Sequence, residues 1–108
     1  MSSQQLKGHL EALVMATLER GPAHGYSIIE SLRSGSGGLF DLPEGTVYPA
    51  LHRLEDAGLV KSTREIVDGR QRRIYRLVPA GRKSLEQSRA SWRTFSSAVS
   101  GILMVRIA

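Results

Sequence analysis

The chain has 108 residues, 41% hydrophobic and 6% aromatic, with a net charge of +5: one small domain's worth of core, short enough that a partner subunit would add needed burial. It has no cysteine, and His9, His24 and His52 lack the i, i+4 spacing that puts two ligands on one helical face, which excludes disulfides, a thiol nucleophile and a designed metal site. Without a signal peptide, a long apolar run, a phosphate loop, a nucleophile beside a base or paired carboxylates, the expectation is a cytoplasmic protein that is not an enzyme, holds no cofactor and meets no membrane.

Apolar residues recur at Leu6, Leu10, Leu13, Val14 and Leu18, the stripe of an amphipathic helix from Leu6 to Arg20 that Gly21-Pro22 stops. The pattern restarts in "HGYSIIESLR", with Tyr26, Ile29 and Leu32 on one side. "SGSGG", Ser34 to Gly38, then dissolves this second helix into a flexible loop.

A third helix follows in "TVYPALHRL", Thr46 to Leu54. Advancing 100° per residue from Val47 puts Ala50, Leu51, Leu54 and Ala57 within about 80° of it. The opposite arc collects Tyr48, Pro49, His52, Arg53, Glu55 and Asp56. Pro49 belongs near the start of this helix, where its missing N–H is harmless: either Thr46 is the N-cap, or the helix begins nearer Pro43 and the crowded carbonyl is that of Gly45. Gly58 stands where a left-handed residue would close the helix.

Beyond Leu59 and Val60 come "KSTREI", "VDGRQRR" and "IYRLV". Asp68-Gly69 between runs of β-branched and aromatic residues predicts a two-stranded hairpin. In its second strand Tyr75 and Leu77 share one face, and Arg72, Ile74 and Arg76 the other. Charge changes sharply here: residues 1–60 carry four Lys or Arg against seven Asp or Glu, a balance of −3, and residues 61–108 carry eleven against three, +8. Six cations, Lys61, Arg64, Arg70, Arg72, Arg73 and Arg76, fall within sixteen residues. Such a cluster suits a surface that meets phosphates, or a solvated basic hairpin.

Pro79 suits the first position of a last helix, uninterrupted until Gly101. Leu85, Trp92 and Val99 repeat every seven residues, with Phe95 and Ile102 one turn on. This seam is too short for a free coiled coil but adequate for docking on another helix. It outlasts what a 78-residue core needs to cover, which favours a homodimer over packing within one chain.

Three helices and a basic hairpin, in that order, make a winged helix-turn-helix: a mainly α fold with a small β-hairpin, here completed by a C-terminal dimerisation helix. The expected division is a DNA-binding domain over 1–78 and a dimerisation helix over 79–108. "LKGHLEALVMATLERGPAHGYSIIESL", "EGTVYPALHRLEDAGLV" and "RRIYRLVPAGRKSLE" resemble successive signature blocks of the PadR-like transcriptional regulators, across most of residues 6 to 86. The single C-terminal helix resembles the short subgroup of that family. Pro79 replaces a threonine the family often has, and "SGSGGLFDLPEG" is unusually rich in glycine, suggesting a looser fit between the second and third helices.

The resemblance implies a homodimer joined through its last helix, with the third helix in the major groove of double-stranded operator DNA and the wing along the backbone. Most members are repressors released by a small effector. Matching "TVYP" implicates Thr46, Tyr48 and Pro49, and the outward face adds His52 and Arg53, where helix-turn-helix proteins touch DNA. Glu55 and Asp56 are expected at the far end of the helix, away from the DNA backbone. Arg70, Arg72 and Arg73 are expected to hold phosphate or enter the minor groove. Tyr48 has two readings, a phosphate contact or a ring packed under the wing, and His52 either reads a base or is simply exposed. Trp92 falls where short members responsive to planar drugs carry an interface tryptophan, implying a planar aromatic or drug-like effector held by Trp92, Ser88 and Phe95. Its plainer role is seam packing. A winged helix that meets an acidic protein partner instead of DNA is the alternative function.

Overall fold

The computed structural model describes residue 6 and residues 8–104. Helix α1 spans Leu10–Leu18. It is shorter than the predicted Leu6 to Arg20 because Gly8 adopts a φ of 87° ahead of it, and the chain leaves the helix after Leu18 on its way to Gly21, φ 148°. Leu6 is nonetheless buried, as are Val14, Met15 and Leu18.

Strand β1, Ala23–His24, leads directly into helix α2, Gly25–Gly35. His24 caps that helix, its Nδ1 accepting from the Ser27 N–H at 3.4 Å. Gly25, Ile28 and Leu32 face the core, and Ile29 packs at its edge. Tyr26, predicted on the inward side, is 53% exposed. The glycine-rich loop is also tighter than expected. Ser36 Oγ donates to the Leu32 carbonyl at 2.8 Å and accepts from the Phe40 N–H at 2.8 Å, while the Gly38 N–H reaches the Arg33 carbonyl at 2.8 Å.

Helix α3 spans Glu44–Asp56, with Pro43 at the N-cap. The reading with Thr46 as N-cap is thereby corrected in favour of the earlier start, and Pro49 is the sixth helical residue. The carbonyl it leaves unpaired is that of exposed Gly45, in the first turn of the helix, where water can reach it. Val47, Ala50, Leu51 and Leu54 are buried, as the periodicity requires, but Ala57 is exposed. Each fully buried Val, Leu or Ile contributes roughly 1.5–3 kcal/mol, enough to hold α3 despite its proline. The helix closes with Gly58 at φ 74°, the Gly58 N–H on the Glu55 carbonyl at 3.0 Å and the Leu59 N–H on the Leu54 carbonyl at 2.9 Å, a Schellman pair.

Strands β2, Val60–Val67, and β3, Arg70–Leu77, pair antiparallel from Val60↔Leu77 to Val67↔Arg70. Asp68 and Gly69 both have positive φ, 52° and 76°, as a type I′ turn demands. The sheet has three strands rather than the two predicted, in the order β1-β3-β2, because Ala23 and His24 pair with Tyr75 and Ile74. Tyr75 and Leu77 enter the core as expected; Ile74, on the other face, is buried too.

Helix α4, Pro79–Leu103, begins with Pro79 in its first turn and Val78 as N-cap. Gly81 lies against the Leu59 carbonyl, too close for any side chain, and Leu85 joins the core made by α1, α2, α3 and the sheet. Past Trp92, which still meets His9, the helix runs on largely exposed. The radius of gyration is 15.8 Å, against about 13 Å for a compact domain of this size, and the long axis reaches 62 Å. No helix among the described residues is long and apolar enough to cross a membrane.

Candidate nucleic-acid interface

The C-terminal turn of α3 and the base of the hairpin are tied together by two side chains. Glu55, on α3, accepts from the Ser62 N–H at 3.1 Å and the Ser62 hydroxyl at 2.7 Å, and the same hydroxyl accepts from Arg73 Nη1 at 3.0 Å. Glu55 is therefore more than a charge kept clear of DNA at the far end of the helix. Its carboxylate aims the base of β2 at α3 and holds the root of Arg73's reach.

Of the predicted residues on α3, Pro49 and His52 are exposed and Thr46 is half-buried. Arg53 is also exposed, but its Nε meets Glu11 Oε1 of α1 at 2.6 Å, so its guanidinium is already engaged across the helix pair. An exposed ion pair of this kind is worth roughly 0–1 kcal/mol, little enough for a phosphate to compete for the arginine. Tyr48 is half-buried, its ring seated on Gly25 at the start of α2. Burial pushes its phenol above the usual tyrosine range. The ring thus packs against the start of α2.

On the wing, Arg70 and Arg73 are exposed and Arg72 is half-buried. Arg72 lies over the Tyr26 ring, its guanidinium carbon 5.5 Å from the centroid. Arg76 is drawn inward by Glu65 at 2.6 Å and Thr63 at 2.9 Å, leaving Lys61, Arg64, Arg70, Arg72 and Arg73 without an acidic side chain in salt-bridge range among the described residues. Thr63 and Arg76 hold the Glu65 carboxyl below the usual glutamate range. A surface of exposed cations beside a helix start is suited to phosphate oxygens, which need donors and positive potential but no particular sequence.

The residues expected to hold an effector lie elsewhere, on α4. Ser88 is half-buried, while Trp92 and Phe95 are 53% and 60% exposed. The Trp92 ring is tilted 41° to Phe95 at 6.2 Å and meets His9 edge-on at 5.5 Å. A shallow open depression runs beside them, lined by Ala90, Ser91, Thr94, Phe95 and Ala98; Phe95 shares it, and Ser88 and Trp92 do not line it. Higher up, Arg89 joins Glu19, the C-cap of α1, at 2.7 Å and Glu86 at 2.6 Å, tying α4 to the end of α1.

Sequence reasoning missed Tyr26, Glu44 and Ser62. A signal for Tyr26 existed in the "HGY" motif, but its outward direction depends on β1, which two residues cannot announce.

A family model for the transcriptional regulator PadR-like family matches residues 14–87. A transcriptional regulator of Mycobacterium tuberculosis is 49% identical over 57 residues, which are 53% of this chain and 53% of that one, so the match spans about half its length. Among solved structures, a transcriptional regulator from Clostridium thermocellum superposes with a TM-score of 0.86 at 27% identity, covering 95% of this chain and 98% of that one. A PadR family transcription regulator from Clostridium difficile superposes with a TM-score of 0.80 at 32% identity, over 89% of this chain and 99% of the other.

Proposed function

The chain belongs to the PadR-like family of transcriptional regulators, and from that premise we propose that it is a homodimeric repressor that grips operator DNA with α3 and the wing and lets go when a small molecule binds near Trp92. Family and fold are those of DNA-binding regulators and not of enzymes. Membership of that family favours this reading over an interaction module that meets only protein.

The observation that carries the reading is the tie between α3 and the wing. Thr46 lies in the first turn of α3, Pro49 and His52 are exposed along its middle, and the hairpin that carries Arg70, Arg72 and Arg73 is bound to the helix through Glu55 and Ser62. In this reading α3 enters the major groove with its first turns foremost, where side chains meet base edges. Tyr48 steadies the helix from behind, its phenol seated on Gly25 of α2, and Arg53 exchanges Glu11 for phosphate on binding. The wing arginines supply affinity, and the helix face supplies choice of sequence.

A second copy is the occupant proposed for the distal half of α4. Trp92, Phe95, Ile102, Leu103 and Met104 are all more than half exposed along one helix, an apolar stretch that a monomer of this size would not leave in water. A two-fold dimer through this helix presents two α3 helices to two half-sites. Residues 1–78 then serve as the DNA-binding unit and 79–108 as the dimerisation helix. A flat aromatic compound stacked on Trp92 between the copies would change the angle between the two α4 helices and so the spacing of the α3 pair.

Binding of the purified protein to promoter fragments, measured at several salt concentrations, tests the DNA side. The Arg70→Ala/Arg73→Ala variant is expected to weaken binding to all sequences and to reduce the slope of log K against log salt by about 0.9 for each phosphate that the wing no longer neutralises. An unchanged slope would remove the wing from the interface.

A further inference from the structure

Among the described residues, Arg72 is the one wing arginine with a partner from outside the hairpin. Its partner in the strand register is Glu65, the natural carboxylate for it, yet Glu65 is taken by Arg76 at 2.6 Å and by Thr63 at 2.7 Å. The Arg72 guanidinium lies instead on the face of Tyr26, 46 residues earlier in the chain. Tyr26 is well anchored for this. It stands two residues after β1, which the Ala23↔Tyr75 and His24↔Ile74 pairs bind to β3, and it sits in the first turn of a helix capped by His24. Its hydroxyl lies near Glu44 at the first residue of α3, whose carboxylate pushes the phenol above the usual tyrosine range. One exposed ring thus touches the wing and neighbours the start of the recognition helix.

We propose that Tyr26 is a positioning residue for DNA binding: its ring holds the Arg72 guanidinium at a set distance from the start of α3, so that helix and wing meet the duplex as one unit. The role rests on the DNA-binding reading given above. The ring provides a face that attracts a cation without neutralising it, which leaves Arg72 its charge and its hydrogen-bond donors for a phosphate or the minor groove. A carboxylate in the same place would consume both. Tyr26 adds no base contact of its own; it removes the freedom Arg72 would otherwise lose on binding.

The test uses Tyr26→Phe, which keeps the ring, and Tyr26→Leu, which keeps bulk but no π face; with Tyr26 more than half exposed, both leave the core intact. In the free protein, proton NMR should show the Arg72 side-chain methylenes shifted upfield by the ring in wild type and Tyr26→Phe, and not in Tyr26→Leu. On a selected operator, Tyr26→Leu should bind about two- to fivefold more weakly per copy, the fold-change matching an exposed cation–π interaction, and Tyr26→Phe should bind like wild type. In an Arg72→Ala background the leucine variant should cost nothing further. Absence of the upfield shift, an equal loss in the Arg72→Ala background, or a phenylalanine variant as weak as the leucine one would overturn the positioning role while the wild type still binds DNA. A wild type that shows the shift but prefers no duplex would overturn the DNA reading, and the role with it.

Discussion

Gly25→Ala drives a methyl group into the phenol of Tyr48. A Cβ built on Gly25 overlaps Tyr48 Oη and Cζ and comes within 2.7 Å of Cε1, and its three nearest neighbours all belong to that one ring. Tyr48 is half-buried, so it must leave its seat to make room. Overfilling a packed site costs about 1–3 kcal/mol. Alanine in place of a helical glycine returns about 0.5–1 kcal/mol. The balance is a net loss of about 1 kcal/mol, which in a domain of this size lowers the melting midpoint by roughly 4–8 °C. The assay is circular dichroism at the helix band, with heat or urea, on the four proteins of the Gly25→Ala and Tyr48→Ala cycle. Once Tyr48 is alanine the clash has no partner, and Gly25→Ala should become neutral or stabilising by up to about 1 kcal/mol. A glycine substitution that is harmless beside Tyr48, or just as costly without it, would refute the idea that this tyrosine steadies α3 against α2.

Gly81→Ala should be worse, because its Cβ would strike the Leu59 carbonyl oxygen and come within 2.7 Å of Leu77 Cδ1, and a backbone atom cannot swing aside; a loss of about 3 kcal/mol in urea unfolding is expected. The Glu19, Glu30 and Glu65 carboxyls are held below the usual value of 4.5, Glu19 by Arg89, Glu30 by Arg33, and Glu65 by Thr63 and Arg76. A depressed carboxyl adds stability that is present above its unfolded value and lost as pH falls through the folded one. The melting midpoint should therefore drop below about pH 4.5, and Glu19→Gln should flatten part of that drop. Phe95→Glu/Ile102→Glu puts charge on the exposed seam of α4; sedimentation velocity is expected to find a dimer for the wild type and a monomer for the variant.

Features set by local chemistry were legible in the sequence. Asp68-Gly69 announced its turn because few residues tolerate two successive left-handed conformations, Gly58 marked the end of α3, and Pro79 the start of α4. The buried face of α3 followed from spacing alone, since Val47, Ala50, Leu51 and Leu54 admit a single helical phase. In α2 the adjacent Ile28 and Ile29 allow two phases, and pairing of β1 with β3 chose the one that turns Tyr26 outward. The interface showed the same division. Its cations were visible as a cluster, but their partners were not: Glu11 lies 42 residues from Arg53 in sequence, and Tyr26 and Ser62 gain meaning only when the hairpin folds back on α2 and α3.

The most direct measurement is selection of bound fragments from genomic DNA by the purified protein, followed by hydroxyl-radical footprinting of the site recovered. The account predicts a two-fold symmetric site with protected half-sites about one helical turn apart, weakened by salt, and disturbed at bases by His52→Ala but at the flanking backbone by Arg70→Ala/Arg73→Ala. Recovery of no preferred sequence, or a footprint without symmetry that both variants leave unchanged, would contradict it.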